Sequence, residues 1–516
     1  MKRLFDLISV KITFKRFLIV LFILYLVSLY LAFFCYGQNN LFDIGTLFIT
    51  TVFVLVFVLF LIFSRFALFV QISVFAVFSI FFIFFRILFF VILPERIKFP
   101  FGTVFTSNEI NYGLWYAVIG TFLIMAGFFC ADFLFCFKRK MKIPERFYKK
   151  RFFNAETVVL IFFITIVVDF FILSVLGVNF FNKFQADNFN PVIQLLLVFF
   201  NVDIGFFMLM IAILTLCENS LKKSKLIILA IVSFVYVVFV SFFGFRNFGL
   251  RILFMLVVSL LSLNWKFKAS FIQYISFVFV LCFASLLTYP LITNIRSFRA
   301  LNFKYNVLNS DGVKNVSGKV LKERDGVGFL KLPILYSIAD RMGVIDYEIS
   351  ILSIPPDQKA KIEFINIRYI TKSIINTLVP GVVFKDASIS TSRLIAILYR
   401  GFSLDYVKSN GYFSEFYTPW GIFFLLFGWW GGLVGLFICG FLIHSIYLLI
   451  LYCSKTLNVY LGGLYLLIVP SLFYGCSGID HWISNSVILF ISGLSVLGFF
   501  WSYEKLCVLF NKFRTL

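Results

Sequence analysis

Twelve apolar runs of about twenty residues, broken by one polar stretch over 293–417, decide what this chain can fold into. Runs of that length cross ~30 Å of hydrocarbon as helices, which satisfy their own backbone hydrogen bonds. The short alternating segments of a membrane β-barrel are absent from the sequence. With 61% hydrophobic and 14% charged residues, the composition excludes a soluble globule. The expected fold is therefore an all-α polytopic integral membrane protein with about 12 transmembrane helices and one large outer loop.

The spans read 17–36, 45–64, 66–93, 113–137, 156–177, 191–216, 226–244, 249–264, 270–291, 421–452, 459–475 and 487–503. They divide the chain into an N-terminal bundle (1–291, nine spans), a large loop (292–417) and a C-terminal part (418–516, three spans and a short tail). No cleavable signal is expected, because the first apolar run is as long as a full span and lacks a small-residue cleavage site. The run over 418–452 is too long for one upright span and too short for two. A short interfacial or re-entrant piece followed by one span fits it, with Trp420, Trp429 and Trp430 near the headgroups. Spacings Gly428/Gly432 and Gly431/Gly435 suit close helix approach.

Charge sets the orientation. With the N-terminus inside, the inner connections and both tails hold 23 Lys and Arg, against five on the short outer loops. Cytoplasmic loops collect basic residues, so both termini are expected inside and 293–417 outside. The same bias accounts for the net charge of +22 without nucleic acid. Nine cysteines, mostly inside apolar runs and without a CxxC, indicate neither a zinc site nor a disulfide framework.

Ionisable groups inside spans are costly and mark functional positions. Arg86 and Asp169 lie at similar outward depths, and Asp203 lies near the middle of its span. They suggest a polar cavity open outward, or an ion pair of Arg86 with an aspartate that holds helices together. Asp132 lies close enough to the inner end to reach headgroups, and His444 reads as a hydrogen-bonded interior residue. Arg246 and Arg251, then Arg296 and Arg299, stand at the outer interface. Guanidinium groups there suit a lipid-linked phosphate, ordinary anionic headgroups or loop carboxylates.

The polar stretch carries 17 basic and 11 acidic residues, so it is not a polybasic tail. Within it, 329–354, with Arg341 on its polar side, and 364–378 have helical periodicity and are expected to pack on the membrane face and on the spans. No hydrolase elbow, P-loop or zincin motif occurs. There is no DxD, and the first outer loop offers only Asp43, so a metal-independent site with no cofactor is expected.

The order of features resembles a known family. Gly244-Phe245-Arg246 opens a late span, and the pair Arg296/Arg299 follows the next one. The long segment then carries LVPGVVFKD (378–386), Arg393 and Arg400, and GYFSEFYTPWG (411–421) before a Gly-rich span. This is similar to the O-antigen polymerase, or oligosaccharide repeat-unit polymerase, family (Wzy-type). The resemblance implies a GT-C-like membrane glycosyltransferase of the bacterial inner membrane with its large loop in the periplasm. It implies undecaprenyl-diphosphate-linked oligosaccharides as donor and acceptor, and a chain-length regulator and a flippase as pathway partners. A sugar hydroxyl would attack the donor's anomeric carbon while undecaprenyl diphosphate leaves, which needs cations at the diphosphate and a base. Arg246 and Arg296 are the expected catalytic cations, and Arg86, Arg299, Arg341, Arg393 and Arg400 the expected diphosphate and substrate contacts. Glu415 is the first choice of base and His481 the second. An O-antigen ligase shares this logic and stays open as an alternative. A lipid-linked oligosaccharide flippase or transporter is disfavoured by the outer mass and by the lack of internal repeats. An ion channel would need a selectivity signature that is missing.

Overall fold

A computed structural model describes residues 11–94, 105–135, 268–270, 344–353, 365–378, 383–387 and 419–452, with single positions such as 167, 389 and 391 and several between 461 and 502. The described part is mostly helical. Four of its helices are long and apolar enough to cross a membrane: α1 (Phe14–Tyr36), α2 (Ile44–Phe63), α5 (Ser107–Phe133) and α8 (Pro419–Tyr452). A further continuous helical run joins α3 (Phe66–Ser79) to α4 (Phe85–Ile92) through a π-helical turn, Ile80–Phe84. Two short helices, α6 (Val344–Leu352) and α7 (Ile367–Leu378), come from the polar stretch.

Local chemistry starts the spans where the apolar runs begin. Thr13 caps α1 through a bond from the Arg16 N–H. Asp43 and Thr46 form a capping box on α2, as Thr106 and Glu109 do on α5. Such caps satisfy backbone donors that a membrane helix cannot leave bare. The cap on α5 explains why that helix starts six residues before the expected 113. Leu31, Phe34, Leu55 and Phe63 are exposed on the outer faces of α1 and α2, where lipid suits apolar side chains. Phe22, Phe53, Phe57 and Phe84 interlock inside, with ring centroids 5.2–6.3 Å apart.

The described helices share two ends. At the first end, Lys15 at the start of α1 donates to the Ile62 carbonyl at the close of α2 (2.9 Å). There β1 (Lys11–Thr13) pairs antiparallel with β2 (Lys268–Ser270), Thr13 opposite Lys268. At the second end, Asn39 donates to the Phe90 carbonyl of α4 (3.0 Å), and Asn111 of α5 donates to Asp43 (3.1 Å).

Helix α8 is two limbs joined at Gly428, whose φ of 71° and ψ of −168° lie outside the helical region and favour glycine. The second limb runs parallel to α5, since Tyr112 and Tyr116 meet Trp429, Gly120 meets Leu436, Ile124 meets Gly440 and Phe128 meets His444. Gly127 and Gly440 let the two backbones touch; a Cβ on either would strike the other helix's main chain. The first limb folds back on the second, with Phe423 against Gly432 and Gly435 and Phe427 against Gly431. Trp420 consequently lies beside Gly120 and Leu436, about 12 Å from the Gly428 turn at 1.5 Å per residue. The short piece expected before the span appears, among the described residues, as this first limb folded back at Gly428. Trp420, however, is not at headgroup level: it is 1% exposed and packs on Phe75 and Phe78. Its place within the limb, rather than any aromatic preference for the interface, fixes its depth.

Candidate functional site

The polar chemistry of the described residues gathers around α6. This helix lies against α5, α8 and the π turn, not apart from the spans. Ile345, Ile349, Ile351 and Leu352 are buried, and Ile351 joins Ile422 of the first limb and Ile479. Gly113 of α5 makes the seat: a Cβ there would lie 2.7 Å from Ile349 Cγ1 and 3.2 Å from its Cα. The same nine residues carry two carboxylates into the interior, Asp346 at 1% and Glu348 at 0% exposure.

Arg86 meets Asp346. Its Nε donates to Oδ1 (3.1 Å) and Oδ2 (3.0 Å), its Nη2 donates to Oδ2, and its guanidinium carbon sits 5.6 Å from the Phe90 ring centroid. Two donors of one guanidinium on one carboxylate fix both groups in direction as well as distance. The π turn ends immediately before Phe85, with the Phe85 N–H reaching the Ile80 carbonyl. Tyr25 donates to the Phe84 carbonyl (3.0 Å), supporting the backbone at that turn. A π turn inserts a residue into the helical register, so it re-aims every side chain beyond it, including Arg86. Glu348 lies close enough to Tyr116 to act on it electrostatically. Tyr116 is buried between Phe424 and Trp429.

A second polar cluster holds α7 to the last helical region. Asp480 is 1% exposed and accepts from Ser373 Oγ (2.6 Å), Thr391 N (3.0 Å) and Thr391 Oγ1 (2.5 Å). Burial and the nearby Asp480 charge push the Tyr369 phenol up, while its hydroxyl donates to the Ile389 carbonyl (2.7 Å). The Asn376 side chain accepts from Val383 and Phe384 N–H and donates to the Phe384 and Ala387 carbonyls. Asp386 pairs with Lys372, whose hydrogen bond holds its carboxyl below the usual range.

Of the site residues expected from sequence, Arg86 is described, and it sits in the ion pair with Asp346. Arg246, Arg296, Arg299, Arg341, Arg393, Arg400, Glu415 and His481 lie outside the described residues, as do Asp169 and Asp203. Asp132 does not reach toward headgroups: it is buried, and its Oδ1 lies 3.8 Å from His444 Nε2. Asp43 is a helix cap. Burial pushes its carboxyl up, but bonds from the Thr46 N–H and the Asn111, Thr46 and Ser107 side chains outweigh this and lower it. Nothing in the sequence brings Asp346 or Glu348 to Arg86, and nothing in it singles out Asp480. The signal for Asp346 was an acid inside a strongly apolar helical stretch, VIDYEISIL. Among the described residues, no group of three His, Cys, Asp or Glu side chains could hold a metal ion. Comparison with family models, with curated proteins and with solved structures gives no match.

Proposed function

We propose that this chain joins undecaprenyl-diphosphate-linked oligosaccharide repeat units into surface polysaccharide, O-antigen or capsule, at the periplasmic face of the inner membrane. One observation carries the reading: part of the polar segment is built into the helix bundle. Helix α6 sits among the spans on Arg86, beside the first limb of α8. An enzyme whose substrates are anchored in lipid needs its outer segment at the depth of the carrier's diphosphate, not in a separate globule.

The proposed architecture is GT-C-like with 12 spans and both termini cytoplasmic. Two parities support it. Thr13 and Lys268 meet at one end, which requires an even number of crossings between them, as eight intervening spans supply. The second limb of α8 runs parallel to α5, which requires an odd number of crossings between the close of one and the start of the other, as five spans supply. The strand pair, next to basic Lys11, Lys15 and Arg16, then marks the cytoplasmic end.

In the reaction, the acceptor hydroxyl oxygen bonds to the donor's anomeric carbon, its proton passes to the base, and the bond electrons leave with undecaprenyl diphosphate. Arg246, Arg296, Arg393 and Arg400 are the proposed cations for that leaving group. Glu415 is the proposed base, with His481 second. Deletion of the gene in a strain lacking O-antigen ligase tests the function. Lipid-linked polymer of graded length should disappear while single repeat units remain. Polymer that persists in the deletion strain removes the polymerase reading and leaves the ligase or flippase.

A further inference from the structure

We infer that α6 is a built-in plug: Asp346 occupies, on Arg86, the place of a phosphate group carried by a lipid, and α6 withdraws when that lipid binds. This rests on the proposed function for the identity of the lipid.

The geometry around Arg86 is that of an anion site already filled. A guanidinium held by a span, directed by a π turn and backed by the Phe90 ring, gives Nε and Nη2 to a single carboxylate. That planar fork suits a phosphate as well as a carboxylate. The occupying anion comes from a nine-residue helix of the polar segment, whereas a purely structural partner could have come from a neighbouring span.

The helix is pulled in both directions. Its four buried aliphatic residues favour the seat on Gly113, while burial of the Asp346 and Glu348 carboxylates costs hydration that water at the interface would return. An element balanced in this way has two arrangements, and a ligand that binds Arg86 better in one of them selects it. A lipid diphosphate offers more negative charge than one carboxylate, and its chain holds it at the depth of the span. An apo state with Arg86 paired internally also avoids leaving a bare cation in the membrane.

The test measures binding of undecaprenyl diphosphate to the full-length protein in nanodiscs. Asp346→Asn keeps the shape of the side chain but removes its charge, and should bind the lipid at least about tenfold tighter than wild type. Arg86→Gln should bind it at least about tenfold more weakly. Because either variant can misfold, a second pair of substitutions reads the movement directly. Gly113→Cys with Ile349→Cys places two sulfurs across the seat, where a Cβ added at Gly113 would stand 3.4 Å from the Ile349 Cβ. Oxidation should block lipid binding and reduction restore it, with each single cysteine variant unaffected by oxidant. Equal binding by the oxidised and reduced forms, or unchanged affinity in a folded Asp346→Asn protein, overturns the plug. Inorganic pyrophosphate should compete poorly; competition at the same concentration would assign the site to a soluble anion and overturn the lipid assignment. Because binding is read without turnover, loss of the plug leaves polymer formation by wild type as a separate result, and absence of polymer with intact binding counts against the function alone.

Discussion

Arg86 of the third apolar run shares its Nε–H between the two carboxylate oxygens of Asp346, 260 positions later in the chain. Both side chains are about 1% exposed, so the bond ties the polar segment to the membrane bundle where water does not compete. Removing one partner of such a pair strands the other charge. Arg86→Ala or Asp346→Ala should each cost about 3–5 kcal/mol in detergent unfolding titrations. The double variant Arg86→Met with Asp346→Leu should recover most of the loss. A single variant with wild-type stability would contradict the pairing.

The contact between α5 and α8 depends on glycine for two different reasons. Gly440 abuts the Ile124 backbone, so Gly440→Ala forces main chains apart and should destabilise by about 1–3 kcal/mol. Gly428 has open space around its Cα but a positive φ, so Gly428→Ala should cost about 1–3 kcal/mol through backbone strain alone. Gly498→Ala, where the Cβ meets nothing, is the control and should be near neutral. Thermal unfolding of the three variants side by side separates contact from conformation.

What the sequence revealed follows from the range of the interactions involved. The apolar runs 17–36, 45–64 and 66–93 match α1, α2 and the run from α3 to α4 within a few residues, because hydrocarbon thickness and local caps set those lengths. The oversized run 418–452 announced a turn, and Gly428 supplies it. The depth of Trp420 is illegible because an aromatic at the start of a folded-back limb looks the same in sequence as one at the headgroups. The partner of Arg86 was illegible for a related reason: Asp169, Asp203 and Asp346 are equivalent until the chain is folded. Asp480 is an ordinary loop acid in sequence; in the fold Ser373 and Thr391 meet it and it is buried.

Asp43 gives the fold an acid-sensitive element. Its carboxyl is held below the ordinary value in the folded protein, so its contribution is complete above the unfolded pKa and fades as pH falls through the folded one. Asp43→Ala should lower stability by about 0.5–2 kcal/mol at neutral pH. Wild type and variant should converge in acid. A gap that widens as pH falls would reverse the sign and contradict the cap.

The two ends of the bundle can be told apart by labelling. In the proposed orientation Trp430, beside the Gly428 turn and 79% exposed, stands at the outer end, and the start of α1, beside the strand pair, at the inner one. In intact spheroplasts, Trp430→Cys should react with a membrane-impermeant maleimide, whereas Arg16→Cys, exposed at the start of α1, should react only after permeabilisation. The opposite pattern would invert the orientation.

Reconstitution tests the proposed activity most directly. Purified protein in liposomes, supplied only with undecaprenyl-diphosphate-linked repeat units from its own host, should yield a ladder of lipid-linked oligomers and free undecaprenyl diphosphate. Arg246→Ala should yield neither, and Arg246→Lys little, because a lysine cannot reproduce a two-donor phosphate contact. A folded wild-type protein that leaves every repeat unit single would contradict the account.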